Sequence, residues 1–589
     1  MTHTSKRLIC YVAASCVGWG AWAAAAPAQA CGGFFCNQPA PNQGPPIAQA
    51  GENVVFVLDR DPDTGAGKVE AHVQIVYSGE VDKFSWVVPV SSLPTLSVGQ
   101  DILFQILEPR TRPTFNLSWA MDGTCKDTNP PGAGCMGGSS AAAGASAPGS
   151  IPGPGGPVVD VAFHGNVGPY ESAVIRSDDA QALESWLTAH QYFVSPEASQ
   201  IIKQYVDTGS YFVALRLQMG REVSEIQPIV LRLNAEEGCL PLKLTAIAAT
   251  PEMRINVWVL GAGRAVPLNY TEVELNLLKL DWFSGGGNYD KLLGEAANEA
   301  AGNAFAVEYA QPTANAVSWF TLPPNASSSL AAALNPADFW NTLQRLGLPL
   351  SGRVLQVLRT YIPEPASLMA QGLTEGQFYA SLPQSWSFSA AAFAPFNAAA
   401  AAADLDVQVL KPMADLRSLF EHHATLTRVA TFISPEEMTK DPLFVTNPTL
   451  PDLANVHTAM ARVLCGDQDY DTCSAPIQVD VPGYGGVRFR PPANTCNSPV
   501  QPPPYWRADL DATMPAAWRG WRRDASGPGE VAFDGASKIA DALHAHNVAA
   551  GEESGCACAV AARRARDPLL GLAVLAVLGT VVLRRRDRR

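Results

Sequence analysis

The chain has 589 residues, 47% hydrophobic and 16% charged, with 41 Lys and Arg against 55 Asp and Glu, a net charge of −14 at pH 7. The hydrophobic share is that of folded domains and excludes a disordered polyelectrolyte. The acidic balance excludes nucleic acid and an anionic membrane surface as partners of the folded body, since both would repel it, and leaves cations and basic partners open.

At the N-terminus Lys6 and Arg7 precede an apolar stretch over residues 8–26, and Ala28-Gln29-Ala30 puts small residues at −3 and −1 of a signal-peptidase site. Residues 1–30 therefore read as an export signal and the mature chain begins at Cys31. Lipidation of that Cys is the alternative, although Gln29 stands where lipoprotein signals place a small or apolar residue. The exported part of about 525 residues suggests two to four domains. Up to residue 555 it carries Cys31, Cys36, Cys125, Cys135, Cys239, Cys465, Cys473 and Cys496. An even count in an oxidising compartment predicts disulfides. Sequence proximity selects Cys31–Cys36, Cys125–Cys135 and Cys465–Cys473, leaving Cys239 with Cys496, and none shows the paired C-x-x-C spacing of a zinc site.

Residues 31–121 read as β-rich. A buried-strand run covers 54–58, and 68–77 alternates, with Val69, Ala71, Val73, Ile75 and Tyr77 on one face. The turn formers of 59–67 between them predict a long-looped hairpin. A further strand covers 84–90, where Pro89 marks a sheet edge or an exit. The hairpin carries the best metal candidate: Asp59, Asp61, Asp63 and Glu70 occupy positions 1, 3, 5 and 12 of an EF-hand-like spacing, which gathers hard oxygen ligands for calcium. Thr64 stands where the sharp turn wants Gly, and a strand follows in place of a helix, so a solvated hairpin loop is the competing reading. Asp467, Asp469 and Asp471 repeat the acidic alternation further on, with Gln478 at the twelfth position.

Residues 122–157 are Gly, Ala, Ser and Pro almost throughout, a low-complexity insertion that cannot bury enough apolar surface to offset chain entropy. Residues 158–287 read as α+β. A helix over 178–192 aligns Leu183, Trp186, Leu187 and His190, and Ser195-Pro196 opens a second. Strands over 211–217, 226–233, 240–249, 255–260 and 273–280 follow without intervening helices, which predicts an antiparallel sheet. Residues 288–464 read as a helical lobe, in which the capping box Ser434-Pro435-Glu436-Glu437 predicts a helix start. Residues 465–555 are Pro- and Gly-rich and read as irregular cover and a stalk. The fold class is thus α+β: an antiparallel β-rich body with a helical second lobe, stapled by disulfides.

Residues 556–589 form a tail in which Cys556-Ala557-Cys558 precedes an uncharged apolar run over 569–583, with three arginines before it and five after. The arginine excess places the extreme C-terminus in the cytoplasm. The run reaches only about 22 Å as a helix, short of a hydrocarbon core of about 30 Å, so it reads as a temporary stop. With both terminal segments removed, the body holds 31 basic and 53 acidic residues, a net −22.

The order Cys pair, spacer, apolar run and Arg cluster resembles the MYXO-CTERM sorting tails of myxobacterial surface proteins. That resemblance implies cleavage near Cys556 or Cys558 after export, with a Cys carrying the surface attachment. The mature start Cys31-Gly32-Gly33-Phe34-Phe35-Cys36 is joined by Phe84-Ser85-Trp86-Val87-Val88-Pro89-Val90 and by Leu426-Thr427-Arg428 with Ser434-Pro435-Glu436-Glu437-Met438 and Asp441-Pro442. Together with Tyr77-Ser78-Gly79 they resemble a family of bacterial exported proteins classed as a domain of unknown function, over residues 31–460 without the low-complexity insertion. It implies no activity and no site residue.

No H-E-x-x-H, G-x-S-x-G or P-loop pattern is present in the sequence. The sequence therefore reads as an exported cell-envelope protein, noncatalytic, with a structural or binding role at the outer surface. Its expected partners are the export machinery, signal peptidase, a C-terminal sorting protease and, through the tail, the membrane. A plain single-pass inner-membrane anchor is the alternative for location. An exported hydrolase with a site assembled from distant residues is the alternative for function.

Overall fold

The structure is a computed structural model that describes residues 48–78, 85–126, 159–192, 194–218, 226–350, 352–369, 372–471, 475–489 and 514–550. The hairpin predicted from alternation is present as β1 (Ala48–Arg60) and β2 (Gly67–Ser78), with Val57 opposite Glu70. Next come β3 (Ser85–Val90), β4 (Thr95–Val98), the helix Asp101–Thr111, β5 (Thr114–Lys126), β6 (Asp160–Val167) and β7 (Tyr170–Arg176). The helices Ala180–Ala189 and Pro196–Asp207 lead to β8 (Tyr211–Leu217), β9 (Ile229–Asn234), β10 (Gly238–Cys239), β11 (Ala249–Gly261), β12 (Arg264–Pro267) and β13 (Thr271–Leu275). The helix Tyr289–Glu299 precedes β14 (Ala304–Pro312), a run of helices follows, and then β15 (Thr425–Ile433), β16 (Leu443–Asn447) and β17 (Val456–Asp471). The last elements are β18 (Ile477–Val481), β19 (Gly485–Phe489), β20 (Ala517–Arg522), β21 (Glu530–Asp534) and the helix Ala536–Ala549.

A ten-stranded sheet in the order β21-β20-β13-β14-β15-β11-β1-β2-β9-β4 is the frame, with smaller sheets β3-β8-β7-β6, β19-β18-β17-β5 and β10-β16-β12. Pairing is mostly antiparallel, as predicted, but β1 with β11, β13 with β14 and β5 with β17 run parallel. These partners are joined by long crossovers, so strand direction does not follow from sequence neighbours.

The central strand β1 is buried on both faces, which is why it reads as an unbroken apolar run. Val54 and Phe56 pack with Trp86, Val88 and Leu215 of the β3-β8-β7-β6 sheet. Val55 and Val57 face the helical lobe with Phe339, Leu343 and Phe378. The outer face of the small sheet is covered by the two helices whose N-caps the sequence marked: Asp179 accepts from the Gln181 N–H and Ser195 from the Ala198 N–H. Pro89 pairs with Phe212 on β3, the edge strand of that sheet, where a proline is tolerated.

Several expectations are corrected. The predicted strand over 240–249 contains one helical turn, Leu242–Thr245, before β11. The capping box at Ser434 is present, but it closes a single 3-10 turn, Pro435–Glu437, because the chain turns back at once into β16. The helical stretch 288–464 is interrupted by β14, β15, β16 and β17. The supposed stalk is built into the sheets: Glu299 accepts from the N–H groups of Ala516 and Ala517 at 2.7 and 3.0 Å, setting β20 beside β13.

The cysteine pairing differs too. Cys125 is bonded to Cys465, 340 residues away, with a Cα separation of 4.8 Å. The physical reason is the parallel register of β5 and β17, which sets Asp122 opposite Leu464 and Gly123 opposite Gly466. Both glycines have positive φ, +82° and +60°, and a Cβ on Gly123 would collide with the Gly466 carbonyl. Among the described residues Cys239 has no disulfide partner. Cys31, Cys36, Cys135, Cys473, Cys496, Cys556 and Cys558 lie outside the described residues, as do the export signal, most of the low-complexity insertion and the apolar run 569–583. Among the described residues no helix is long and apolar enough to cross a membrane.

Candidate functional site

Two sheets packed face to face normally close about 10 Å apart on interdigitated side chains. Between the large sheet and β3 a cavity of about 270 Å³ remains. The large sheet contributes Glu52, Val54 and Phe56 from one face of β1, Val69, Ala71 and Val73 from β2, and Leu231 and Leu233 from β9. Trp86, Val88 and Val90 of β3 form the opposite wall. Ala71 stands in register with Phe56 and Leu231, and its small side chain leaves room between them.

The rim is polar. Ser91, Gln204, Thr208 and Cys239 are exposed there. The Tyr205 hydroxyl donates to Asp441 at 2.8 Å, the Lys243 backbone N–H donates to the other Asp441 oxygen at 3.0 Å, and Lys243 Nζ lies 3.7 Å from Asp441 and 4.7 Å from the Tyr205 ring centre. Burial raises the Asp441 carboxyl above the usual range against these bonds, and burial, then Asp441, raises the Tyr205 hydroxyl. Cys239 is exposed as a residue, yet desolvation of its thiol and the Asp441 charge push the thiol up to about 12. A thiol held protonated is not a nucleophile.

At the other end lies Glu52, only 3% exposed. It accepts from Gln49 Nε2 at 2.9 Å, the one hydrogen bond to its side chain among the described residues, while Gln49 Oε1 is buried without a partner. Burial pushes the Glu52 carboxyl up to about 7, with the Gln49 bond acting in the opposite direction. Glu52 is four residues along β1 from Phe56, about 13 Å at strand rise, and Phe56 packs under Gly238 next to Cys239. Acid and thiol therefore stand at opposite ends. The carboxyl is poised for proton transfer near neutrality, but no nucleophile–base pair forms with Cys239.

The calcium candidates are drawn in different directions. Asp61 accepts from the N–H groups of Asp63 and Thr64 at 3.1 and 2.9 Å and pairs with Lys68 at 2.6 Å, which holds its carboxyl well below the usual range. Glu70 is taken by His72 at 2.8 Å and Arg232 at 2.7 Å. Asp59 lies 3.7 Å from His423 Nε2 across a separate cleft, and Asp63 stays in the exposed turn. Among the described residues no group of three or more His, Cys, Asp or Glu is placed to hold a metal ion. The backbone of Asp467, Asp469 and Asp471 lies in β17.

Sequence reasoning also passed over a buried charge network. Arg428 is fully buried, with Nε 2.6 Å from Glu308, Nη1 donating to the Glu108 carbonyl at 2.8 Å and Nη2 to Asn256 at 3.1 Å, and its guanidinium sits 5.0 Å from the Trp258 ring centre. Glu308 also receives the Tyr289 hydroxyl at 2.9 Å and Arg254 at 3.1 Å. Arg428 thus ties β15 to β14, β11 and the helix Asp101–Thr111; its role is structural. Neither Glu52 nor Arg428 stands out by spacing; the one sequence signal was a charged residue inside or beside an apolar strand run.

Fold and cavity together define a layered α+β protein with a ligand-sized space between two sheets. The chain belongs to the bacterial family DUF2330, described as an uncharacterized protein conserved in bacteria, whose family model matches residues 26–333. That span holds every cavity-lining residue except Asp441. No curated protein and no solved structure matches the chain.

Proposed function

We propose that this is an exported cell-envelope protein, displayed on the outer surface after C-terminal processing, whose folded body serves a binding role. The observation that carries the reading is the Cys125–Cys465 bond between β5 and β17, since a disulfide inside a folded body is made and kept in an oxidising compartment. The basic and apolar N-terminal segment ending at Ala30 and the Cys-apolar-Arg order of the tail support it. The cavity, apolar along its walls and polar at both ends, supports a binding role.

The test is mass spectrometry of the cell-associated protein. A mature chain starting at Cys31 and ending near Cys556 or Cys558 is expected, without residues 569–589. Recovery of the intact C-terminal peptide as the main species would restore the simple membrane anchor, and recovery of the uncleaved N-terminus in the cytoplasmic fraction would remove export itself.

A further inference from the structure

We propose that the cavity between the two sheets binds a small aliphatic ammonium compound, its charged end on Glu52 and its chain along Val54, Val88 and Leu231. This deepens the binding part of the reading above and is independent of where the protein resides.

Three observations converge on that chemistry. First, Glu52 presents a buried carboxyl to the cavity, yet Gln49 Nε2 is its one hydrogen-bond donor among the described residues. A buried carboxylate without a countercharge is costly, and an ammonium group supplies both the charge and the missing donors. An anionic ligand would be repelled at the same place. Second, the described lining holds three carboxyls, Glu52, Glu237 and Asp441, against one cation, Lys243, and that lysine is engaged at the rim by Asp441. The space is acidic inside a body that is itself strongly acidic, so its field draws in cations. Third, the walls beside Glu52 are apolar and include the Trp86 indole, a surface that accepts both an alkyl chain and an adjacent cation.

Size limits the ligand further. At about 270 Å³ the cavity is just below the range of about 300–1,000 Å³ typical of small-molecule sites. A short alkyl chain suits it, and a bulky polyamine conjugate does not. A neutral alcohol of equal length would gain the same apolar contact but leave the carboxyl without a countercharge, so the preference between the two reads the role of Glu52 directly.

The experiment is calorimetric titration of the purified full-length chain with n-octylamine and, separately, 1-octanol, at physiological salt and pH 7.5. The expected result is one amine per chain, bound at least about tenfold more tightly than the alcohol. Glu52→Gln should erase that preference while its melting transition persists. Ala71→Leu, which adds an isopropyl group to the cavity wall and leaves Glu52 in place, should lose binding of both probes. Equal binding of amine and alcohol by the wild type would overturn the proposal, as would many-per-chain adsorption or a folded Glu52→Gln variant that keeps the preference. Should Glu52→Gln fail to fold, amine binding retained by Ala71→Leu would overturn it alone. Because binding is read on purified protein, failure here leaves the export reading standing, and failure of the fractionation result leaves this one standing.

Discussion

Glu52 sits in an environment that its type avoids: an acid inside an apolar wall, 3% exposed, with one amide for company. Its carboxyl is raised from 4.5 to about 7, so the folded chain holds this proton more tightly than the unfolded chain does. The resulting stabilisation is full below about pH 4.5 and is lost as pH rises through about 7. Glu52→Gln, which keeps the shape and removes the charge, should therefore gain up to about 3 kcal/mol over the wild type at pH 8 and little at pH 4.5. Denaturant midpoints of both proteins at the two pH values measure this; an equal difference at both would show that ionisation of Glu52 is not the cause. Arg428 makes the opposite case, a buried charge held between two carboxylates, those of Glu308 and Glu108. Arg428→Ala leaves the buried Glu308 with Arg254 and the Tyr289 hydroxyl but removes its contact on the second oxygen, and should cost about 3 kcal/mol, whereas Arg428→Met with Glu308→Leu should recover most of that loss. A double variant no more stable than the single one would mean that packing, not charge, dominates there.

At the scale of elements, the β1–β2 hairpin and the β5–β17 pair show how far a local pattern reaches. Alternation over 68–77 placed Val69, Ala71 and Val73 on the core face, and they are there, because a strand facing a core on one side has no other way to bury a period-two stripe. The acidic spacing in the same hairpin has a different fate. Asp61 is neutralised by Lys68, and Glu70 by Arg232 and His72, so the ligands would have to abandon existing partners to gather round an ion. Several millimolar calcium should leave the melting temperature unmoved; a rise of several degrees that Asp61→Asn removes would reinstate the site. The Cys125–Cys465 bond closes a very long loop, for which the entropic gain is at the upper end of the usual range. The paired Cys125→Ser and Cys465→Ser variant should lose about 2–5 kcal/mol in urea unfolding. An unchanged midpoint would show that the strand pairing alone holds these segments.

Across the whole molecule, the C-terminal part of the body is structural. β20 lies between β13 and β21, Arg523 joins Arg264 on the buried Glu272 at 3.0 and 2.5 Å, and the helix Ala536–Ala549 sets Ile539 into the core shared by β13, β18 and the helix Tyr289–Glu299. Truncation after Phe489 would bare the β13 edge and leave Glu272 with one cation. The truncated chain should aggregate or fail to show the cooperative melt of the full body. A soluble, cooperatively melting truncation would restore the stalk reading for residues 514–550.

The sequence by itself determined what depends on near neighbours. Strand and helix positions along 54–77 and 178–217, the two N-caps at Asp179 and Ser195 and the edge position of Pro89 follow from periodicity, short-range hydrogen bonding and the missing proline N–H. Membership in the bacterial family was legible in the same way, from short stretches of residues. The tertiary structure alone decided whatever joins distant segments. Cys125 meets Cys465 across 340 residues because β5 and β17 run parallel, β20 pairs with β13, which precedes it by more than two hundred residues, and Glu52 becomes a cavity acid only once β3 closes over the face shared by β1, β2 and β9. Which partner a strand selects is set by the burial of whole faces and the closure of long loops, and neither quantity is written in the spacing of residues along the chain.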